Sequence, residues 1–379
     1  MSGLPPYDVV QALYERGYAH ATGVPCAMLS GVWQEFENRG SLLPAVSEGV
    51  AVAIAAGWEM GGKPGVVLAQ NSGLGHMVNP LASLVIPCKL PILVLLTMRG
   101  WPDPANDEPQ HAVMGAATIS LLDDLGVRHG LVGSSDDRTL ERCLGEAHAA
   151  HAARLPYFLL IGPGAIDTAM NGGWSTKVSA ESAEDEYLTR SQVVAALLEG
   201  IGDALLICPT GYLSREVAIQ GDRSSNFYMQ GSMGHALGLG IGVATARPNR
   251  RVVVLDGDGA ALMHLGAGAT AAFACPTNLT HLVVDNRSYE STGGQRSHNE
   301  RLDWAGLGRA LGYGTVTQAT TKVGLRACFK RLLSAEREGP AMCHISVRPT
   351  LDDPPPRVTA SMSHPEMASR FRTIATSRA

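Results

Sequence analysis

The chain has 379 residues, of which 45% are hydrophobic, 17% charged and 5% aromatic, with 43 glycines. That length suits two α/β domains of roughly 150 to 200 residues each, and the composition excludes a disordered or collagenous chain. A formal net charge of -5 without any lysine or arginine run excludes long-range attraction of nucleic acid, so an anionic ligand must be held by local groups.

In chain order, the N-terminal segment MSGLPPYDVVQALYERGYAH has neither a cationic n-region nor an apolar h-region and is not expected to be a signal peptide. Short β-branched runs follow at 65–70 (GVVLAQ), 91–97 (PILVLLT) and 156–162 (PYFLLIG). They recur at 204–211 (ALLICPTG), 251–259 (RVVVLDGDG), 280–286 (THLVVDN) and 341–349 (AMCHISVRP). Continuous apolar runs of this length read as parallel strands covered on both faces by helices. Helices are expected at 47–58, rich in small residues, and at 191–198, with Ser191 as its cap. Residues 166–187, with NGGWSTK and the acidic ESAEDE, show no apolar period and read as a linker. Beyond Pro349, three consecutive prolines stiffen an extended stretch expected to lie over the surface, before a short amphipathic tail at 367–374. The expected organisation is a first domain at 1–165, the linker at 166–187, a second domain at 188–350 and a tail at 351–379. The most apolar stretch, 90–98, is about half the length of a membrane helix, so no membrane association is expected. Seven scattered cysteines without a C-x-x-C pair point to reduced thiols and a cytoplasmic location.

Chemistry concentrates at strand ends. Asp256-Gly257-Asp258-Gly259-Ala260-Ala261 closes one predicted strand, and Asn286 closes the next, 28 positions after Asp258. In open parallel sheets, ligands bind outside the carboxyl ends of the strands, where glycines let backbone amides approach phosphate oxygens. Asp258, the amide oxygen of Asn286 and a backbone carbonyl near Ser288 are hard donors that, with two diphosphate oxygens, suit Mg2+. A lone Asp-Gly-Asp-Gly would be read as a tight turn; the second strand-end residue changes that reading. In the first half, Ser47-Glu48-Gly49 precedes a helix, where a glutamate also has the plain role of stabilising the helix start.

The GDG motif closed by an asparagine resembles the cofactor motif of thiamine-diphosphate enzymes. Further blocks narrow the resemblance to the phosphonopyruvate and sulfopyruvate decarboxylase family over nearly the whole chain: QNSGLG at 70–75, VNP at 78–80, DEPQH at 107–111, TGYLSRE at 210–216, GSMGHA at 231–236, GDGAALMHLGA at 257–267 and ESTGGQ at 290–295. The resemblance implies two doubly wound parallel-sheet domains of the α/β thiamine-diphosphate-binding fold, one for the pyrimidine and one for the diphosphate, without a middle domain. It implies thiamine diphosphate and Mg2+ as cofactors, with Asp258, Asn286 and Ser288 on the metal. Thr210, Gly211, Gly231, Met233, Gly257, Gly259, Ala260, Ser288 and Tyr289 then hold the cofactor, with Met233 under its two rings. Glu48 bonds the aminopyrimidine, normally across a subunit interface, so a homodimer or homotetramer with active sites at subunit interfaces is expected.

Catalytic roles implied beside Glu48 fall to Gln110 and to His111, a proton relay. Arg99 is read either as the cation for the substrate's acidic groups or as a strand-end ion pair with Asp103 or Asp107. Arg287, Arg296 and Arg301 flank the cofactor loop. The chain departs from the family pattern at Cys26 and Ala27, where an aspartate and a serine are usual, at His76 for asparagine, at Tyr289 for histidine and at Arg296 for proline. Cys26, Ala27, His76 and Tyr289 are therefore candidates for substrate contact. The activity implied is non-oxidative decarboxylation of a small-molecule 3-substituted pyruvate, foremost phosphonopyruvate to phosphonoacetaldehyde and carbon dioxide. The alternatives are a related 2-oxo acid such as sulfopyruvate, a carboligase passing the carbanion to an aldehyde, and a regulatory subunit whose catalysis has decayed.

Overall fold

The structure is a computed structural model that describes residues 3–60, 62–133, 137–168, 188–299, 301–334, 337–350 and 354–377. The chain forms two compact units, residues 1–175 and 176–379. Most of the expected linker, from residue 169 to 187, lies outside the described residues.

In the first unit the strands are β1 (His20–Gly23), β2 (Leu42–Pro44), β3 (Gly65–Gln70), β4 (Leu93–Thr97), β5 (Arg128–Val132) and β6 (Tyr157–Ile161). All pair in parallel in the order β2-β1-β3-β4-β6-β5. In the second unit β7 (Leu205–Cys208), β8 (Asn226–Tyr228), β9 (Val252–Gly257) and β10 (Leu279–Asp285) come first. A two-strand hairpin of β11 (Ser288–Tyr289) and β12 (Gln295–Arg296) follows, then β13 (Thr315–Ala319) and β14 (Ala341–Ser346). The second sheet is also all parallel, in the order β13-β14-β10-β9-β7-β8. Numbering each sheet's strands from one to six along its own unit gives the same order, 2-1-3-4-6-5, twice. The expected doubly wound α/β architecture is present, and no third sheet domain intervenes among the described residues.

The period of two along each central strand explains why these segments are strands. Val66, Leu68, Leu93, Leu95 and Leu159 enter one core of the first unit, while Val67, Ala69, Val94, Leu96 and Leu160 enter the core on the opposite face. In the second unit Val253, Leu255, Leu282 and Val284 face one way, and Val252, Val254, Leu279 and Val283 the other. Each fully buried leucine contributes about 1.5 to 3 kcal/mol relative to exposure.

The expected helix at 47–58 runs from Glu48 to Met60. The one expected at 191–198 runs from Arg190 to Gly200, and its cap is Thr189, not Ser191. Thr189 accepts from the Gln192 amide while the Gln192 side chain bonds back, a capping box that outcompetes the neighbouring serine. The C-terminal tail forms a helix, His364–Thr376, capped by Ser363 and Glu366. Rather than only lying on the surface, it buries Met367, Phe371 and Ala375. Phe371 packs edge-on to Phe227 at 5.7 Å, and Arg370 grips Asp222 with both terminal nitrogens.

Candidate active site

Chemistry-bearing residues gather at the carboxyl ends of the central strands in each unit. In the second unit β9 and β10 run side by side, with Val284 opposite Gly257, so Asp258 and Asn286 emerge next to one another. The two residues line one pocket with Thr210, Gly211, Met233, Gly257, Gly259 and Ala260. Ser288 and Tyr289 of the hairpin line it as well. Gly231 is not among the lining residues, but its amide donates to Thr210 Oγ1 at 3.3 Å, tying its turn to the pocket wall. Gly211 has φ +100°, a conformation that suits glycine. At Gly259 a Cβ would lie 2.4 Å from the Tyr289 ring, so glycine is what lets that ring close over the strand end.

Asp258 is 3% exposed. Its Oδ2 accepts from the Ser297 hydroxyl and, at 3.0 Å, from Asn299 Nδ2. The same Asn299 amide donates to Asp285 Oδ1, so one amide joins the two carboxylates that end β9 and β10. Asp285 is further held by His344 Nε2 at 2.8 Å. Burial, and then the charge of Asp285, push the Asp258 carboxyl up to about 7. A buried carboxylate that accepts only from neutral donors among the described residues, with a second carboxylate nearby, is an arrangement that a divalent cation would stabilise. The Asn286 side chain is held in place, because its Oδ1 accepts from the Ser288 amide at 3.0 Å. The donor set is therefore hard oxygen and fits Mg2+ with phosphate.

Sequence reading missed the supports of this pocket. Arg190, 7% exposed, lines it and pairs with Glu290 and Glu216. Ser297 and Asn299 reach Asp258 from 39 and 41 positions away. The only signal for them is that they follow the ESTGGQ hairpin, which turns the chain back toward β9.

In the first unit Glu48 starts its helix and is 6% exposed. Its Oε2 lies 2.8 Å from His76 Nδ1, and a Cβ at Gly73 would fall 2.2 Å from Oε1. The β3 and β4 ends are joined by Asn71, whose amide donates to Arg99 O at 2.9 Å and accepts from Arg99 N at 3.1 Å. Arg99 places its fork on Asp107, at 2.7 and 2.5 Å, forming the expected strand-end ion pair. Asp107 also accepts from the Gly100 and Glu108 amides and lies 3.1 Å from His111 Nδ1. Burial alone would raise the Asp107 carboxyl, but these hydrogen bonds hold it well below the usual range. Burial, then the charge of Arg99, lower His111 and favour its neutral imidazole. Gln110 Oε1 is buried without a hydrogen-bond partner among the described residues. Cys26 is 4% exposed, packs in the core and has its sulfur 3.8 Å from Thr97 Oγ1; burial raises its thiol. Ala27 is exposed at the start of a short turn.

The chain is a thiamine pyrophosphate enzyme. Residues 8–108 match the thiamine pyrophosphate enzyme N-terminal TPP binding domain, and residues 208–345 the C-terminal TPP binding domain. The phosphonopyruvate decarboxylase of Streptomyces viridochromogenes is 37% identical, the alignment covering 97% of this chain and 94% of that protein. That of Streptomyces hygroscopicus is 35% identical over 97% and 93%. The sulfopyruvate decarboxylase of Methanosarcina acetivorans is 26% identical over 97% of each. The chain belongs to the phosphonopyruvate decarboxylase family of thiamine pyrophosphate enzymes. Among the described residues, no helix is long and apolar enough to cross a membrane.

Proposed function

We propose that this chain catalyses the non-oxidative decarboxylation of phosphonopyruvate to phosphonoacetaldehyde and carbon dioxide. The two Streptomyces relatives named for that reaction support the substrate. The observation that carries the chemistry is the buried, proton-hungry Asp258 beside Asn286 at the ends of β9 and β10.

In this reading residues 188–350 hold the diphosphate, with Asp258, Asn286 and the Ser288 carbonyl on Mg2+ and the glycine amides at 257 and 259 on phosphate oxygens. Residues 1–165 hold the pyrimidine through Glu48, 166–187 link the two domains, and 351–379 form the tail. Met233 supports the two rings of the cofactor. Bound thiamine diphosphate supplies the electron sink for the departing carboxylate's electrons. His111, kept neutral by burial and oriented by Asp107, accepts and returns a proton at Nε2. Arg99 acts through Asp107, since its fork is already engaged there. His76 and Tyr289 border the reacting centre. Because each unit offers half of the cofactor's contacts, the working form is a homodimer or homotetramer.

The test is carbon dioxide release with thiamine diphosphate and Mg2+, comparing phosphonopyruvate, sulfopyruvate and pyruvate, with Glu48→Gln as control. Glu48-dependent turnover fastest with phosphonopyruvate is the expected result. Turnover of sulfopyruvate alone, or a carbon-carbon bonded product formed only with an aldehyde acceptor, overturns the assignment.

A further inference from the structure

Glu48 has two oxygens in unlike surroundings. On one side stands His76, with Nδ1 2.8 Å from Oε2. On the other is Gly73, whose backbone packs directly against the Glu48 side chain, since a Cβ there would lie 2.2 Å from Oε1. The helices Glu48–Met60 and Leu74–Pro80 carry these groups and meet closely; a Cβ on Gly49 would lie 2.9 Å from the His76 carbonyl oxygen.

We propose that His76 is a positioning residue for Glu48: its Nδ1–H holds Oε2, and the proton that Glu48 exchanges with the cofactor's pyrimidine nitrogen resides on Oε1. No proton is consumed, because Glu48 lends the Oε1 proton to the ring nitrogen and takes it back. A carboxyl with one oxygen tied cannot rotate to present the wrong one, so the acid is preorganised. The hydrogen bond to Glu48 also raises the His76 imidazole, consistent with Nδ1 carrying a proton. The inference rests on the assignment of Glu48 to the aminopyrimidine.

The experiment measures deuterium exchange at the thiazolium C2 carbon in the holoenzyme, by acid quench and proton NMR, without any 2-oxo acid. Cofactor affinity is followed in parallel by quenching of tryptophan fluorescence. His76→Phe is expected to slow exchange about tenfold or more, the scale of a lost charge-assisted hydrogen bond, while Kd moves less than about threefold. His76→Asn and His76→Gln, which return a donor, recover most of the rate. Unchanged exchange in His76→Phe overturns the proposal, as does a loss that neither amide rescues. Should His76→Phe fail to fold, nitrogen-15 spectra of the wild-type imidazole decide instead. A protonated Nδ1 that shifts in Glu48→Gln supports the contact, and an unprotonated Nδ1 indifferent to that change overturns it. Exchange at the wild-type rate in Glu48→Gln would overturn the assignment of Glu48 itself, whatever His76 does.

Discussion

Asp107 receives His111 and Arg99 on one carboxylate: His111 Nδ1 is 3.1 Å from Oδ1, and Arg99 donates to both oxygens. A carboxylate acceptor beside Nδ1 favours the tautomer with its proton there, which leaves Nε2 as the atom free to accept one. Asp107→Asn presents an amide to both partners. It should lower kcat about tenfold to a hundredfold, approaching the effect of His111→Asn, with a smaller change in KM. Steady-state kinetics of the two variants and their double mutant check this; additive losses would show that the two residues act independently.

Asp258 couples cation binding to protons. In the metal-free protein its carboxyl titrates near 7, and Mg2+ requires the ionised form, so uptake of Mg2+ with thiamine diphosphate should release close to one proton below pH 7. Calorimetry in buffers of different ionisation enthalpy measures the number, which should fall toward zero above about pH 8. The sign for stability follows from the same shift. A carboxyl raised above its unfolded value makes the metal-free protein less stable as pH rises from about 4 to about 7. Asp258→Asn should remove both effects.

Gly73→Ala tests the space beside Glu48. The backbone at Gly73, φ -85°, accepts alanine, so the conflict is with the carboxyl alone. The added methyl must displace Oε1, at a cost of about 1 to 3 kcal/mol in stability. Turnover should fall to the level of Glu48→Gln. Thermal melts with turnover assays check both, and a variant as active as wild type would mean that Glu48 has room to retreat.

His151 gives an acid-sensitive stability term far from the strand-end sites. Tyr18 donates to Nδ1, and Nε2 donates to the Ile92 carbonyl at 3.2 Å, so both ring nitrogens are engaged in the neutral form. Burial lowers the imidazole to about 4. Between that value and the unfolded value of about 6.5 the unfolded chain binds the extra proton, so stability falls as pH drops, by at most about 3 kcal/mol. Urea unfolding between pH 4.5 and 7 should show a flatter pH dependence for His151→Gln than for wild type.

What could be read from the sequence follows burial. Strands β3, β4, β6, β7, β9, β10 and β14 are interior to their sheets, and their apolar runs announce them. The edge strands β2, β5, β8 and β13 went unseen, because a strand with one open side needs no continuous apolar run; β13, for example, reads TVTQA with a largely half-buried pattern. Interior β1 was missed because HATG is short and small. In the site, glycines and acids at strand ends were legible as a local pattern. The roles of Asn71, Ser297 and Asn299 were not, since each works on a partner at least 28 positions away. The pairing of Arg99 with Asp107 rather than Asp103 likewise needed the fork geometry.

The repeated order 2-1-3-4-6-5 has a genetic consequence. Among the described residues every strand pair lies within one unit, and each sheet is enclosed by cores drawn from its own unit. A break in the coding sequence between residues 168 and 188 would deprive no strand of a neighbour. The two halves are thus separable genes in principle, free to duplicate, travel and diverge apart.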